Sequence, residues 1–152
     1  MPTIKPLGFA VIGCGRIAPN HGQAIADLPD ARLAAAADID KARAIAYTER
    51  FGGDPYESYV EMLERPDVDV VNICTPSGMH AEMGMAAAQA GKHVLVEKPM
   101  ALSLRDADAL IEACRRNGVT LGVVHQNRFN PAIQRLRQAL EAGRFGQLNM
   151  GT

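Results

Sequence analysis

Gly8-Phe9-Ala10-Val11-Ile12-Gly13-Cys14-Gly15-Arg16-Ile17-Ala18 joins an apolar run to a glycine-spaced turn and then to the start of a helical pattern. The run predicts a buried strand. Gly13 then supplies a tight turn, Gly15 lets backbone come against a ligand without a Cβ in the way, and Ala18 keeps the next helix close to the sheet. A helix that starts at such a turn leaves the N–H groups of roughly residues 16 to 19 unpaired, and together with its positive dipole end they hold a phosphate without a basic side chain. A second apolar run, Leu33-Ala34-Ala35-Ala36-Ala37, closes on an acid, Asp38. Its distance from the turn, about 20 residues, is that of the carboxylate that accepts hydrogen bonds from adenosine ribose hydroxyls. Glycine spacing alone is a weak sign. Strand, turn, helix and acid together predict a dinucleotide site built around Gly13, Gly15 and Asp38.

The bulk composition narrows the partners. The chain has 152 residues, enough for one domain with a core, and 47% of them are hydrophobic. Sixteen Lys and Arg against 17 Asp and Glu leave a formal charge of −1, so neither nucleic acid nor an anionic membrane is expected as a partner. The apolar runs fall short of the ~20 residues of a membrane span, and no signal-peptide core opens the chain, so a cytoplasmic protein is expected. Cys14, Cys74 and Cys114 are odd in number and far apart, which fits reduced thiols packed as small hydrophobes and no metal site.

Strand and helix patterns alternate throughout, the signature of an α/β fold with a doubly wound, mostly parallel sheet of the Rossmann type. Helices are predicted over 17–28 and 41–51, the second ended by Gly52-Gly53. Ser58 with Glu61, and Ser103 with Asp106, form capping boxes that open further helices. The second of these should turn Ala107, Leu110, Ile111 and Cys114 inward. Strands are predicted over 32–38, 68–73, 94–96 and 121–124. A last helix opens at Pro131 and carries Ile133, Leu136 and Leu140 as a stripe. Residues 147–152 read as the opening of one more strand with no partner after it. The expected organisation is therefore an NAD(P)-binding domain over 1–146, with 147–152 the start of a truncated C-terminal substrate domain otherwise absent.

Ligands of an open parallel sheet lie beyond the carboxyl ends of its strands, which draws attention to the loops 74–80, 97–100 and 125–130. In Glu97-Lys98-Pro99 an acid and a base end a short buried strand, where packing would not select them. Oxidation of a secondary alcohol sends a hydride to nicotinamide while the hydroxyl loses a proton, and an ammonium there would orient that oxygen and stabilise its developing charge. His93 and His125 fit packed or hydrogen-bonded residues rather than ligands. Met79, Met83 and Met85 fit gap-fillers, and Arg115-Arg116 a solvated face.

The glycine turn, Thr75-Pro76 with His80, Gly91-Lys92-His93-Val94 leading to Glu97-Lys98-Pro99, and Arg128-Phe129-Asn130-Pro131 resemble the nucleotide-binding half of the Gfo/Idh/MocA oxidoreductases. The resemblance covers nearly the whole chain, and its most specific part is 91–99. It implies that Gly13, Gly15, Arg16 and Ile17 form the pyrophosphate turn and that Asp38 is the ribose acid. It further implies that Thr75, Pro76 and His80 line the cofactor crevice, that Glu97 reaches the nicotinamide ribose, that Lys98 is the catalytic-site lysine, and that Arg128 lies near the nicotinamide end. Ser77-Gly78 stands where the family often has Asn after the proline. The cofactor so implied is NAD, with NADP as the alternative, and the substrate a sugar, cyclitol or nucleotide-sugar hydroxyl. The segment 125–131 looks like the branch that oxidises the 3-hydroxyl of UDP-linked N-acetylglucosaminuronic acid. Family members build homo-oligomers through their second domain, which also carries the Asp and His that many use as acid and base. A non-catalytic regulator or redox sensor would also use a dinucleotide fold. It would need the turn and Asp38 but no aimed lysine.

Overall fold

The computed structural model describes residues 5–147, so the strand expected over 147–152 lies largely outside the described residues. Six parallel strands form one sheet: β1 (Leu7–Ile12), β2 (Ala31–Ala37), β3 (Asp54–Tyr56), β4 (Val70–Ile73), β5 (His93–Val96) and β6 (Leu121–Val123). Their spatial order is β3-β2-β1-β4-β5-β6. The order reverses direction between β1 and β4, which opens a crevice at their carboxyl ends. The short edge strand β3 has no counterpart in the sequence reading, because Asp54 and Pro55 are poor strand formers and only pairing with Ala35 to Ala37 makes them one.

Helices α1 (Ala18–Ala26) and α2 (Lys41–Phe51) cover one face of the sheet, where Val11, Ala18, Ile25, Leu33, Ala36 and Tyr47 form one core. The other face is covered by α3 (Tyr59–Leu63), α4 (His80–Gln89) and α5 (Leu104–Arg116), over a larger core that includes Ala10, Ile12, Val71, Ile73, Val96, Met62, Met83 and Leu110. Alternation sorts the strand residues: Ala10 and Ile12 face one layer, Phe9 and Val11 the other. The expected caps form, with Ser58 accepting from the Glu61 N–H and Ser103 from the Asp106 N–H. Asp40 caps α2 by accepting from the Ala42 N–H. Gly52 and Gly53 both take positive φ, as the end of α2 requires.

Two expectations are corrected. Ile111 is 49% exposed, so the inner face of α5 is Leu110 and Cys114 and not Ile111. Of the three methionines read as gap-fillers, Met83 is buried and Met85 half-buried, while Met79 is exposed. The last helix, α6 (Pro131–Glu141), has no buried residue, and its stripe of Ile133, Leu136 and Leu140 stays partly exposed.

The start of α1 is fixed from behind. A Cβ on Gly22 would come within 2.7 Å of the Phe51 ring and the Tyr47 hydroxyl, so α1 and α2 approach closely only because residue 22 is glycine. Tyr47 donates from its hydroxyl to the Ala18 carbonyl, 2.9 Å away.

Candidate functional site

A crevice of about 480 Å³ opens at the reversal between β1 and β4. Gly13, Gly15, Arg16, Ile17, Asp38, Thr75 and Pro76 line it, seven of the positions named from the sequence. Gly13 has φ +89°, and a Cβ there would lie 2.9 Å from the Thr75 backbone nitrogen. The Gly13 N–H donates to the Ala37 carbonyl and the Cys74 N–H to the Ile12 carbonyl, each at 2.8 Å, so the backbone around that contact is pinned. A Cβ on Gly15 would meet nothing within 4 Å. Open space at that point is what a pyrophosphate against the backbone requires.

Helix α1 starts there without a side-chain cap, and among the described residues no hydrogen bond takes the N–H of Gly15, Arg16 or Ile17. Unpaired donors at a helix N-terminus suit an anion. The residues thus fit a dinucleotide in both shape and donor set. Beside the turn, Asp38 accepts from the Cys14 N–H through Oδ2 (2.8 Å) and from the Asp40 N–H through Oδ1 (2.9 Å). The acid is thereby aimed while each oxygen keeps a further lone pair for a hydroxyl. Arg43, Ile39 and Met79 also line the crevice, and the sequence reading named none of them as crevice residues.

Burial raises the Cys14 thiol to about 12, with the Asp38 charge adding to the effect, and it raises Cys74 further still. All three cysteines are unpaired, Cys74 and Cys114 buried and Cys14 half-buried. Among the described residues no group of His, Cys, Asp and Glu could hold a metal, and no helix is long and apolar enough to cross a membrane.

The remaining expected positions lie outside the crevice lining. Glu97, Lys98 and Arg128 follow the carboxyl ends of β5 and β6, on the same sheet edge as the glycine turn. Lys98 is exposed, its side chain forms no ion pair or hydrogen bond among the described residues, and its bond to Pro99 is cis. Arg128 sits in a 3-10 turn (Gln126–Phe129) over the Phe129 ring. Glu97, by contrast, is buried. It accepts from the His21 ring at 3.1 Å and from the Lys98 N–H at 3.2 Å. His80 is buried with both ring nitrogens against backbone carbonyls, those of Thr75 and Pro99.

Sequence reasoning missed His21 and Asn72, whose side chains meet at 3.1 Å under the sheet edge. A signal existed for both. His21 lies on the buried face of α1 with Ala18, Gly22 and Ile25, and Asn72 interrupts the apolar strand β4.

Residues 7–125 match the model of the Gfo/Idh/MocA oxidoreductase family, NAD-binding Rossmann fold. The chain is 36% identical over 140 residues to myo-inositol 2-dehydrogenase of Thermotoga maritima, covering 91% of this chain and 42% of the relative. It superposes with TM-score 0.89 and 39% identity on the WlbA dehydrogenase of Bordetella pertussis in complex with NADH and UDP-GlcNAcA, over 94% of this chain and 44% of that one. KijD10, a 3-ketoreductase of Actinomadura kijaniata in complex with TDP-benzene and NADP, gives TM-score 0.88 and 36% identity over 94% and 46% of the two chains. The chain therefore spans less than half the length of these relatives. With family model, fold and crevice in agreement, the chain belongs to the Gfo/Idh/MocA oxidoreductases and is their NAD-binding Rossmann domain.

Proposed function

We propose that this domain serves an NAD-dependent dehydrogenase that oxidises a hydroxyl of a sugar, cyclitol or nucleotide-sugar, with Lys98 at the reacting end. One observation carries the reading: an exposed, unpartnered lysine stands on the same sheet edge as a crevice that already fits the dinucleotide. Bound NAD supplies the hydride acceptor. Gly15, Arg16 and Ile17 offer N–H groups to its pyrophosphate, and Asp38 takes the adenosine ribose. Lys98 holds its ammonium toward the substrate oxygen and stabilises the negative charge that develops as the hydroxyl is oxidised. A nucleotide-sugar is supported by the likeness to WlbA, crystallised with UDP-GlcNAcA, and by the segment 125–131. Homo-oligomerisation through a further domain and a cytoplasmic setting complete the proposal, the latter supported by three unpaired thiols.

The 152-residue chain should bind NAD and fail to turn over sugars or UDP-sugars. Lys98 alone supplies only part of the substrate positioning, which is worth up to about 7 to 11 kcal/mol in well-oriented reactions. NADH absorbance and cofactor binding measured on one sample test both halves of the statement. Robust turnover would overturn the division of labour, and no binding would overturn the cofactor site. In a full-length relative, replacing the lysine that aligns with Lys98 by methionine should lower the rate constant by roughly two orders of magnitude while NAD affinity hardly changes. Wild-type turnover there would remove Lys98 from the reaction.

A further inference from the structure

Lys98 has a neighbour on each side that is gripped by a buried histidine. On the Glu97 side the polar chain runs Asn72, His21, Glu97, with contacts of 3.1 Å at both steps. A carboxylate only accepts, so the His21 nitrogen facing it, Nε2, must carry the proton. In the neutral ring Nδ1 is then an acceptor, and it faces the Asn72 amide nitrogen, which donates. The second oxygen of Glu97 accepts from the Lys98 N–H. On the Pro99 side, His80 Nδ1 lies 2.7 Å from the Pro99 carbonyl, while Nε2 lies 2.8 Å from the Thr75 carbonyl in the crevice wall. Both carbonyls only accept, so each is held only where the ring nitrogen facing it carries a proton, and a neutral ring holds one of the two. Both histidines are at most 9% exposed. Each ring turns one nitrogen to the loop after β5 and the other to β4 or the loop that follows it.

We propose that His21 and His80 are positioning residues for Lys98, the first holding Glu97 through its Nε2–H and the second holding Pro99 through its Nδ1–H. The backbone of residue 98 is thereby fixed from both sides while its amine stays in solvent. His21 also stands on α1 one turn beyond the pyrophosphate turn, and His80 touches Thr75. The lysine is accordingly registered against both walls of the cofactor crevice. This matters for chemistry because an error of about 1 Å in a reacting group costs on the order of a hundredfold in rate. The functional meaning of the grip rests on the reading of Lys98 given above, whereas the grip itself does not.

The test uses the isotope-labelled 152-residue chain and reads geometry, not turnover. Long-range proton–nitrogen correlation on the wild type should show a proton on Nε2 of His21 and on Nδ1 of His80. A bare nitrogen at either place overturns the proposal. Backbone relaxation then compares His21→Phe and His80→Phe, which keep a ring without a donor, with His21→Gln and His80→Asn, which return a donor near the lost N–H. The Lys98 amide order parameter should fall from about 0.85 toward 0.6 in the Phe variants and recover with Gln and Asn. Phe variants that retain the native amide spectrum of α2 and β2 and also a rigid Lys98 amide would overturn it. If the Phe variants do not fold, the wild-type proton placement and the Gln and Asn variants still decide. A lysine that proves dispensable for turnover leaves every one of these readouts unchanged, so the two readings fail separately.

Discussion

Gly13 and Gly15 stand two residues apart in one turn, yet the structure gives them opposite reasons for being glycine, and alanine at each should separate folding from binding. At Gly13 a Cβ would sit 2.9 Å from both the Thr75 nitrogen and its methyl carbon and 3.0 Å from the Cys74 carbonyl carbon, with φ at +89°. A left-handed conformation costs a non-glycine residue about 1 to 3 kcal/mol. Overpacking against backbone that cannot withdraw adds about 1 to 3 kcal/mol. For a chain of this size the sum of about 2 to 6 kcal/mol lowers the melting temperature by about 5 to 20 °C. At Gly15 the new methyl meets nothing, so the melting temperature should hold or rise slightly, because alanine restricts the unfolded chain. The same methyl occupies the space assigned to the pyrophosphate, and the dissociation constant for NAD should increase at least about tenfold, or about 1.4 kcal/mol. Thermal melts and titration calorimetry with NAD on both variants read the two effects. A Gly15→Ala protein that binds NAD as tightly as wild type would refute the placement of the pyrophosphate, and a Gly13→Ala protein that melts like wild type would refute the packing argument.

NAD should bind more tightly than NADP, because a 2′-phosphate about 4 Å from the Asp38 carboxylate costs roughly 4 kcal/mol at an effective dielectric of about 20, before salt screening. Arg16 and Arg43 line the same crevice and reduce the preference without reversing it, so calorimetry that finds equal or tighter NADP binding would remove the argument. The Asp67 carboxyl is held well below the usual carboxylate range, first by Arg65 and then by Arg32, so its contribution to stability is full above about pH 4 and is lost as pH falls toward the depressed folded value. Asp67→Asn should therefore flatten the fall of the urea midpoint between about pH 5 and pH 2, and an unchanged slope would show that the ion pairs do not set it. Finally, with its thiol raised to about 12, Cys14 should alkylate with iodoacetamide far more slowly than free cysteine at pH 8, which peptide mass spectrometry can follow.

The fold was legible where the signal is local. Ser58 and Ser103 each accept from the N–H three residues on, and the glycines at 13, 52 and 53 take the positive φ that their turns imply. Roles set from across the sheet were not legible. Gly8 reads as one more small residue in an apolar run, yet a Cβ there would run into the Asp67 carbonyl oxygen, and its N–H donates to Asp69. Strand β3 exists because β2 offers it an edge. Periodicity likewise showed that α6 is amphipathic but not what its stripe would face.

Glu97 and Lys98 are adjacent and carry opposite charges, and the sequence reading sent Glu97 to the nicotinamide ribose and made Lys98 the catalytic-site lysine. Side chains on a strand alternate between faces, however, and the register pairs Asn72 with Leu95, which puts both on one face of the sheet. Two residues beyond Leu95, Glu97 continues that face, and α1 covers it with His21. The acid is thus directed inward by the same alternation that buries Val94 and Val96 on the opposite face, while Lys98, the next residue, leaves the strand for solvent. A buried acid in that position requires donors. The polar interruptions of otherwise apolar faces, His21 in α1 and Asn72 in β4, are where the sequence held the donor chain. Alternation along β5 and a polar residue on the helix above it thus separate the buried acid from the exposed lysine.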